Sequence, residues 1–443
     1  MDLPRFDQPP AVVLGLGQNG MATCRALGRV GVPVIAIDSD LEQPGAQTRY
    51  ATKIHCPDFQ KGGPGLVATL IEIGEELARQ GQKGVLLPSG DLNVQIISEE
   101  REALDPYFHY RLPEKEVARL FLDKKSFYKI AMERDFPLAR TYFTDEDHDI
   151  EKILEELSYP ALIKPFQPNA AWRETFDTRL FLADSAEMLR KLYDLTYPVH
   201  QDLIIQEYLP GDDSQVMWGV TYLDANQNPL AVWTGRKLRM YPRGFGTATL
   251  AESRRDSWLA EETVRILKDI GHVGYGVVEF KKDQRDGCFK ITEPTGGRTW
   301  FPHSVVTASG INLPHIWYRE VLGESTEPQT EFQEGLKWIH EERDLKTVML
   351  YFLPEKRLTW WTWLQSYRGR RTYAYSAWDD PGPILNSVGR ILQAGVNRFQ
   401  RLLKRGGDSE AVRVEKSRPR AMDEVLLAAD PTVGRGIRKV SVD

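Results

Sequence analysis

The sequence predicts an α/β protein: a parallel sheet flanked by helices, then a region of longer antiparallel strands, then a C-terminal extension with weak signals. Three observations predict it. Apolar strand-like runs alternate with helix-spaced segments through the first hundred residues. Longer β-rich stretches take over beyond residue 200. The 443 residues, 41% hydrophobic and 27% charged, suffice for about three domains and exclude a disordered or fibrous chain. The boundaries are drawn at 1–112, 113–330 and 331–443.

In order, residues 11–15 (AVVLG) form a short strand stopped by glycine, and 21–30 carry helical apolar spacing. Residues 32–37 (VPVIAI) are a second strand ending in Asp38. A helix over 66–80 leads to a strand at 84–87, followed by Pro88-Ser89-Gly90-Asp91. Pro113 opens a helix, and Asp123 can cap the next one. Strands at 140–143, 161–164, 179–183 and 203–207 are interleaved with helices at 147–157 and 185–195. Strands at 216–223 and 230–237 precede a helix over 256–270, whose apolar residues fall on one face. Strands at 275–281 and 288–293 flank Asp283 to Gly287, read as a hairpin turn. Beyond residue 330, 358–363 (LTWWTW) and 367–375 are aromatic and basic. The tail from Arg398 holds eleven Lys/Arg against seven Asp/Glu, a local +4. It reads as a solvated helical appendage, with weak contact to anionic lipid as the alternative.

A formal net charge of −6 offers no broad footprint for nucleic acid. The apolar runs are too short to span a bilayer, and the N-terminus lacks the features of a signal peptide. Cys24, Cys56 and Cys288 are an odd, sparse set, which predicts a reducing, cytoplasmic setting.

Gly15-Leu16-Gly17-Gln18-Asn19-Gly20 is a GxGxxG between strand and helix, with Asp38 eighteen residues beyond Gly20. Glycines admit a pyrophosphate to a helix N-terminus, and the carboxylate suits a ribose hydroxyl. Taken alone, this predicts an NAD(P)-dependent oxidoreductase. Glu279 and Glu293 sit symmetrically about the hairpin turn, which makes them near cross-strand neighbours. Like charges so placed repel, and a hard divalent cation between them would remove the penalty. Lys124 at a helix start and Lys164 at a strand end are placed to meet phosphates. Residues 204–211 (IIQEYLPG) leave a strand through a polar–aromatic step, which can present backbone groups to an adenine and Asp213 to a ribose. At strand spacing, Lys237 and Arg239 share a face suited to a triphosphate or a substrate carboxylate.

Taken in order, these motifs over residues 1–325 resemble the ATP-grasp superfamily, nearest its carboxylate–amine ligase and carbamoyl-phosphate-synthetase large-chain branch. The family's Asp-Lys before a helix matches Asp123-Lys124, and its strand ending in lysine matches 159–164 (YPALIK). Its adenine segment matches Glu207-Tyr208-Leu209-Pro210-Gly211, its paired metal glutamates match Glu279 and Glu293, and its downstream arginine matches Arg298. The resemblance implies a Rossmann-like pre-ATP-grasp domain, an ATP-grasp fold and an irregular C-terminal extension. It also implies Mg2+ (or Mn2+), ATP, small-molecule carboxylate and amine substrates, and a homodimer as one option. By the same resemblance, Lys124, Lys164, Glu207, Tyr208, Leu209 and Asp213 bind nucleotide. Glu279, Glu293 and Thr295 bind metal, and Lys237, Arg239 and Arg298 serve the chemistry.

Two departures stand out. The usual glycine-rich flap is here 166–173 (FQPNAAWR), without glycine, which shifts phosphate closure onto Asn169 or Arg173. Where the family reads Glu-x-Asn-x-Arg, this chain reads Glu293-Pro294-Thr295-Gly296-Gly297-Arg298: a hydroxyl replaces the amide, and one residue is added. Backbone approach at Gly296-Gly297 is the expected compensation. The oxidoreductase and a non-catalytic nucleotide-binding protein remain the alternatives.

Overall fold

A computed structural model describes residues 3–58, 63–146, 149–176, 178, 180–244 and 246–405. The described residues form two compact units, one drawn from 3–127, 216–280 and 293–404, the other from 128–215 and 281–292. Asp147, Arg179 and the basic tail beyond residue 405 lie outside the described residues.

The first unit opens with strands β1 (Ala11–Leu14), β2 (Val34–Asp38), β3 (Thr52–His55), β4 (Gly84–Pro88) and β5 (Phe108–His109). They form a parallel sheet in the order β3-β2-β1-β4-β5, with Ala11 opposite both Val34 and Val85. β1, β2 and β4 are buried throughout because helices cover both faces, which is why they read as unbroken apolar runs. Val12, Leu14, Ile35 and Ile37 pack on Leu66, Leu70, Ile73 and Leu77 of the helix Pro64–Arg79. Ala11, Val13, Val34 and Ala36 face the opposite way, into a core shared with Cys24 and Leu27 of the helix Gln18–Gly28. The glycine motif follows β1 where the strand order reverses.

The second unit contains β6 (Thr141–Phe143), β7 (Ala161–Pro165), β8 (Phe181–Ala183) and β9 (Leu203–Glu207), an antiparallel sheet in the order β6-β9-β7-β8. Its helices start where the sequence supplies caps. Asp149 accepts from the Lys152 N–H, and Ser185 from the Met188 N–H.

The largest sheet comprises β10 (Val216–Leu223), β11 (Pro229–Tyr241), β12 (Thr247–Ser253), β13 (Gly274–Lys282), β14 (Phe289–Gly296), β15 (Lys337–Ile339) and β16 (Arg371–Tyr373). The sheet order is β14-β13-β10-β11-β12-β15-β16. Trp218 and Trp233 from this sheet share one core with Trp300, Trp317 and Trp338. The predicted turn between β13 and β14 forms, closed by the Gly287 N–H to Asp283 O at 2.8 Å. The weak-signal region after residue 330 adds β15 and β16 to the sheet edge and ends in the helix Gly382–Arg405. It is fastened by Asp380, whose buried carboxylate accepts from Arg25 Nε at 2.8 Å and Thr48 Oγ1 at 2.7 Å.

Gly20 has a steric reason to be glycine: a Cβ there would lie 1.7 Å from Gly15 O, whereas one at Gly17 would meet nothing within 4 Å. Gly20→Ala is therefore expected to cost about 1–3 kcal/mol of stability or more, as overpacking does. Gly17→Ala should stay within about 1 kcal/mol. Chemical denaturation of the two variants measures the contrast.

Candidate active site

The glycine turn spends its polar groups on the protein itself. Asp38 Oδ2 accepts from the Leu16 N–H at 2.5 Å, and Oδ1 from the Asp40 N–H at 2.9 Å. The carboxylate that the motif suggested for a ribose is buried and braces the turn. Gln18 Nε2 lies 2.7 Å from His340 Nε2, and burial pushes that imidazole down to about 3, so it is neutral. Asn19 Nδ2 donates to Ser89 O at 3.1 Å and Thr299 O at 3.3 Å.

Lys237, Glu279 and Glu293 stand on strands β11, β13 and β14 of one sheet. Glu279 interrupts the apolar run of β13, and an unpaired carboxylate there would be costly. Lys237 Nζ on β11 meets Glu279 Oε2 at 2.9 Å, and Trp218 Nε1 on β10 donates to the same oxygen at 2.9 Å. The ammonium also donates to Gly246 O at 3.2 Å and stands 5.6 Å over the Trp218 ring. Glu293, exposed on the neighbouring strand β14, pairs with Lys124 Nζ at 3.0 Å. Lys124 is placed by Asp123, whose carboxylate accepts from the Lys125 N–H at 3.1 Å and Ser126 Oγ at 2.5 Å. Thr295 is buried two residues beyond Glu293. Among the described residues, no group of three or more His, Cys, Asp or Glu side chains could hold a metal. The oxygen donors available here are two carboxylates and a hydroxyl.

Arg298 meets Asp91, at the start of the helix Asp91–Glu99, with Nε–Oδ1 at 2.5 Å and Nη2–Oδ2 at 3.2 Å. The glycines before it are explained by packing rather than by a ligand. A Cβ at Gly296 would lie 2.6 Å from the Phe121 ring, and one at Gly297, whose φ is +74°, would lie 2.9 Å from Leu112 and 3.1 Å from Val94.

Arg239 is not placed with Lys237. The register of β11 against β12 shifts between the two, so the expected common face is lost at an irregularity. Arg239 instead forms a fork on buried Asp344, at 2.8 and 2.7 Å, and donates to Ser366 Oγ at 3.0 Å. Asp344 further accepts from Thr249 Oγ1, Trp363 Nε1 and Tyr367 OH, at 2.9, 2.9 and 2.5 Å. A fully engaged, buried guanidinium is a framework group.

In the second unit, Lys164 lies near the end of β7, opposite Ile204 of β9. Glu207 ends β9, with Oε1 accepting from the Ser158 N–H at 3.3 Å. Tyr208 donates its N–H to Pro160 O at 2.9 Å, and Lys281 Nζ stands 4.9 Å over its ring. Leu209 and Asp213 are both buried. The glycine-free flap is a short helix, Ala170–Thr175. Its N-cap is Asn169, whose Oδ1 accepts from the Trp172 N–H at 2.8 Å, and Trp172 is sunk in the core with Phe176 and Phe181. Asn169 is thus committed to the cap, while Arg173 on the same helix is exposed. Trp218, Asp91 and Asp344 were not foreseen. Nothing in their local spacing marks them, since each acts on a residue distant in sequence.

No family model matches the chain. A D-aspartate ligase from Enterococcus faecium is 25% identical over 285 residues, covering 60% of this chain and 66% of that one. A formate-dependent phosphoribosylglycinamide formyltransferase from Tolumonas auensis is 24% identical over 156 residues, 35% of this chain and 36% of its own length. The chain thus spans less than two thirds of the length of these curated relatives. Among solved structures, N5-carboxyaminoimidazole synthetase from Staphylococcus aureus superposes with a TM-score of 0.56 at 15% identity, over 75% of this chain and 82% of that one. Biotin carboxylase from Campylobacter jejuni, in a β-γ-ATP complex, gives 0.54 at 16% identity, over 71% of each chain. These structural likenesses are likenesses of fold.

Burial pushes the Asp344 carboxyl up, but Arg239, Tyr367 and Trp363 outweigh it and hold the group below the ordinary carboxylate range. A depressed value means that the contribution to stability is present above the ordinary range and is lost as pH falls through the lowered one. Removing one partner strands a buried charge, so Arg239→Met should cost about 3–5 kcal/mol. Denaturant unfolding at neutral and acidic pH checks both the size and the sign.

Proposed function

We propose that this chain, a member of the ATP-grasp superfamily, uses ATP to join a carboxylate to an amine. The observation that carries the reading is the pair of lysine-matched glutamates on adjacent strands, Glu279 with Lys237 and Glu293 with Lys124. Two carboxylates on neighbouring strands, each facing a lysine, suit a site balanced by cations. The likeness to D-aspartate ligase over 60% of the chain favours an amino acid among the substrates.

The reaction is a phosphoryl transfer followed by an acyl transfer. A substrate carboxylate oxygen takes the γ-phosphoryl group of ATP, the bond to the β-phosphate oxygen breaks, and ADP leaves. The amine then attacks the acyl carbon of this acylphosphate, inorganic phosphate departs and the amine loses its proton, leaving an amide. Triphosphate and carboxylate repel each other, so the protein's task is to concentrate positive charge and exclude water. Mg2+, or Mn2+ in its place, suits the hard oxygens of Glu279, Glu293 and Thr295, and when bound it supplies charge to the phosphate oxygens.

The chain's own groups divide the remaining work. Lys237 and Trp218 hold Glu279 in place, and Lys124 pairs with Glu293. Lys124 and Lys164 offer ammonium donors to phosphates, and Arg298 faces the transferring group. Glu207, Tyr208 and Leu209 take the adenine, and Asp213 the ribose. Arg239 acts at one remove, by fixing β11, on which Lys237 stands. The oxidoreductase alternative loses its main support, because Asp38 is engaged by the backbone of the glycine turn.

Purified protein supplied with Mg-ATP, amino acids and amines should release ADP only when both organic substrates are present. Glu279→Gln and Glu293→Gln should each abolish that release without unfolding the chain, since each removes one anionic ligand. Normal turnover in both would make the hairpin purely structural. Thr295→Val keeps the shape and removes the oxygen. It should cost about 1.5–3 kcal/mol, roughly ten- to a hundredfold in rate, if the hydroxyl is a ligand. Equal rates for the variant and the wild type would make it a bystander.

A further inference from the structure

We propose that residues 341–371 form a patch that seats the protein on the surface of an anionic lipid bilayer. The helical run 341–352 leaves Leu345, Met349 and Leu350 exposed, and the helix Trp360–Ser366 leaves Trp360, Trp361 and Leu364 exposed. Trp361 retains 63% of its accessible surface and Leu364 54%, unusual for residues of this size. Within each piece the spacing is helical: Leu345 and Met349 are four residues apart, as are Trp360 and Leu364.

The two pieces are held together. Asp344 on the first accepts from Trp363 Nε1 and Tyr367 OH at the second, and the same carboxylate is pinned by Arg239. The exposed apolar groups thus ride on a fixed hairpin of short helices. No described helix is long and apolar enough to cross a membrane, so the hairpin fits the interfacial layer rather than the hydrocarbon span.

Charge and side-chain type choose the occupant. Residues 341–371 carry seven Lys/Arg against four Asp/Glu, a local +3 in a chain of net charge −6. Lys356 and Arg357 lie in the turn between the helical pieces, and Arg368, Arg370 and Arg371 follow the second. A second copy of the chain would set this positive charge against itself, whereas anionic headgroups complement it. Tryptophan beside basic residues is the composition favoured at the membrane–water boundary. Downstream, the helix Gly382–Arg405 repeats the pattern, with Leu385, Val388 and Leu392 exposed at helical spacing.

The test is co-sedimentation of the full-length chain with two kinds of vesicle: phosphatidylcholine alone, and phosphatidylcholine with about one third phosphatidylglycerol. The wild type is expected to sediment with the anionic vesicles and to remain in solution with the neutral ones. Trp360→Ser/Trp361→Ser/Leu364→Ser should lower the bound fraction about tenfold, as should Lys356→Glu/Arg357→Glu. Because these side chains are solvent-facing or lie in a turn, the unfolding midpoint should stay at the wild-type value, which separates lost binding from lost folding. Equal sedimentation of wild type and both variants would overturn the proposal. So would a lipid-independent dimer that the triple substitution dissolves.

Discussion

Glu279 places a carboxylate at the end of five buried residues of β13, and the arrangement around it follows from that charge having to be balanced. Lys237 reaches it from β11 and Trp218 from β10, so three strands of one sheet are tied through a single oxygen. The Trp218 indole is itself part of the core that runs through Trp233 and Trp300. Packing and charge balance are therefore the same structure viewed from two sides. A ligand that competes for Lys237, or a cation that competes for Glu279, would act on a group whose position is already fixed. Such preorganisation is what phosphoryl transfer demands of a protein.

Lys237 and Arg239 show how closely placed cations acquire different duties. Both are buried and stand two residues apart on one strand. Lys237 serves a carboxylate that retains some exposure to solvent, 20% of its side-chain surface, and so can be approached. Arg239 is locked on Asp344, which has no exposed side-chain surface, within a shell of hydroxyl, indole and phenol donors. A flexible point charge suits exchange between partners, and a planar fork suits a permanent bond. The irregular register between them is what turns the two side chains apart.

Much of the fold was legible because the elements are locally consistent. The runs that became β1, β2 and β4 are apolar without alternation, as strands covered on both faces must be. The helices expected from Asp256 and Ser185 do begin there, and both side chains cap them. Several short or exposed strands escaped notice. β3 is largely exposed, β5 is two residues long, and β15 and β16 are three each. The site was legible in its charged residues and not in their partners. Asp344 draws donors from positions 239, 249, 363 and 367, a set no spacing rule connects. The glycine-rich signature was legible but misleading in its chemistry, because Asp38 serves the turn's own backbone. The segment expected to act as a flap became a helix because Trp172 gains a core position that a glycine could not use.

The proposed function rests on a charge pattern suited to a triphosphate rather than to a dinucleotide. Calorimetric titration of the purified full-length chain with Mg-ATP and, separately, with NADH tests it most directly. Saturable Mg2+-dependent heat with ATP and none with NADH is the expected result. Tight NADH binding with no response to Mg-ATP would contradict it.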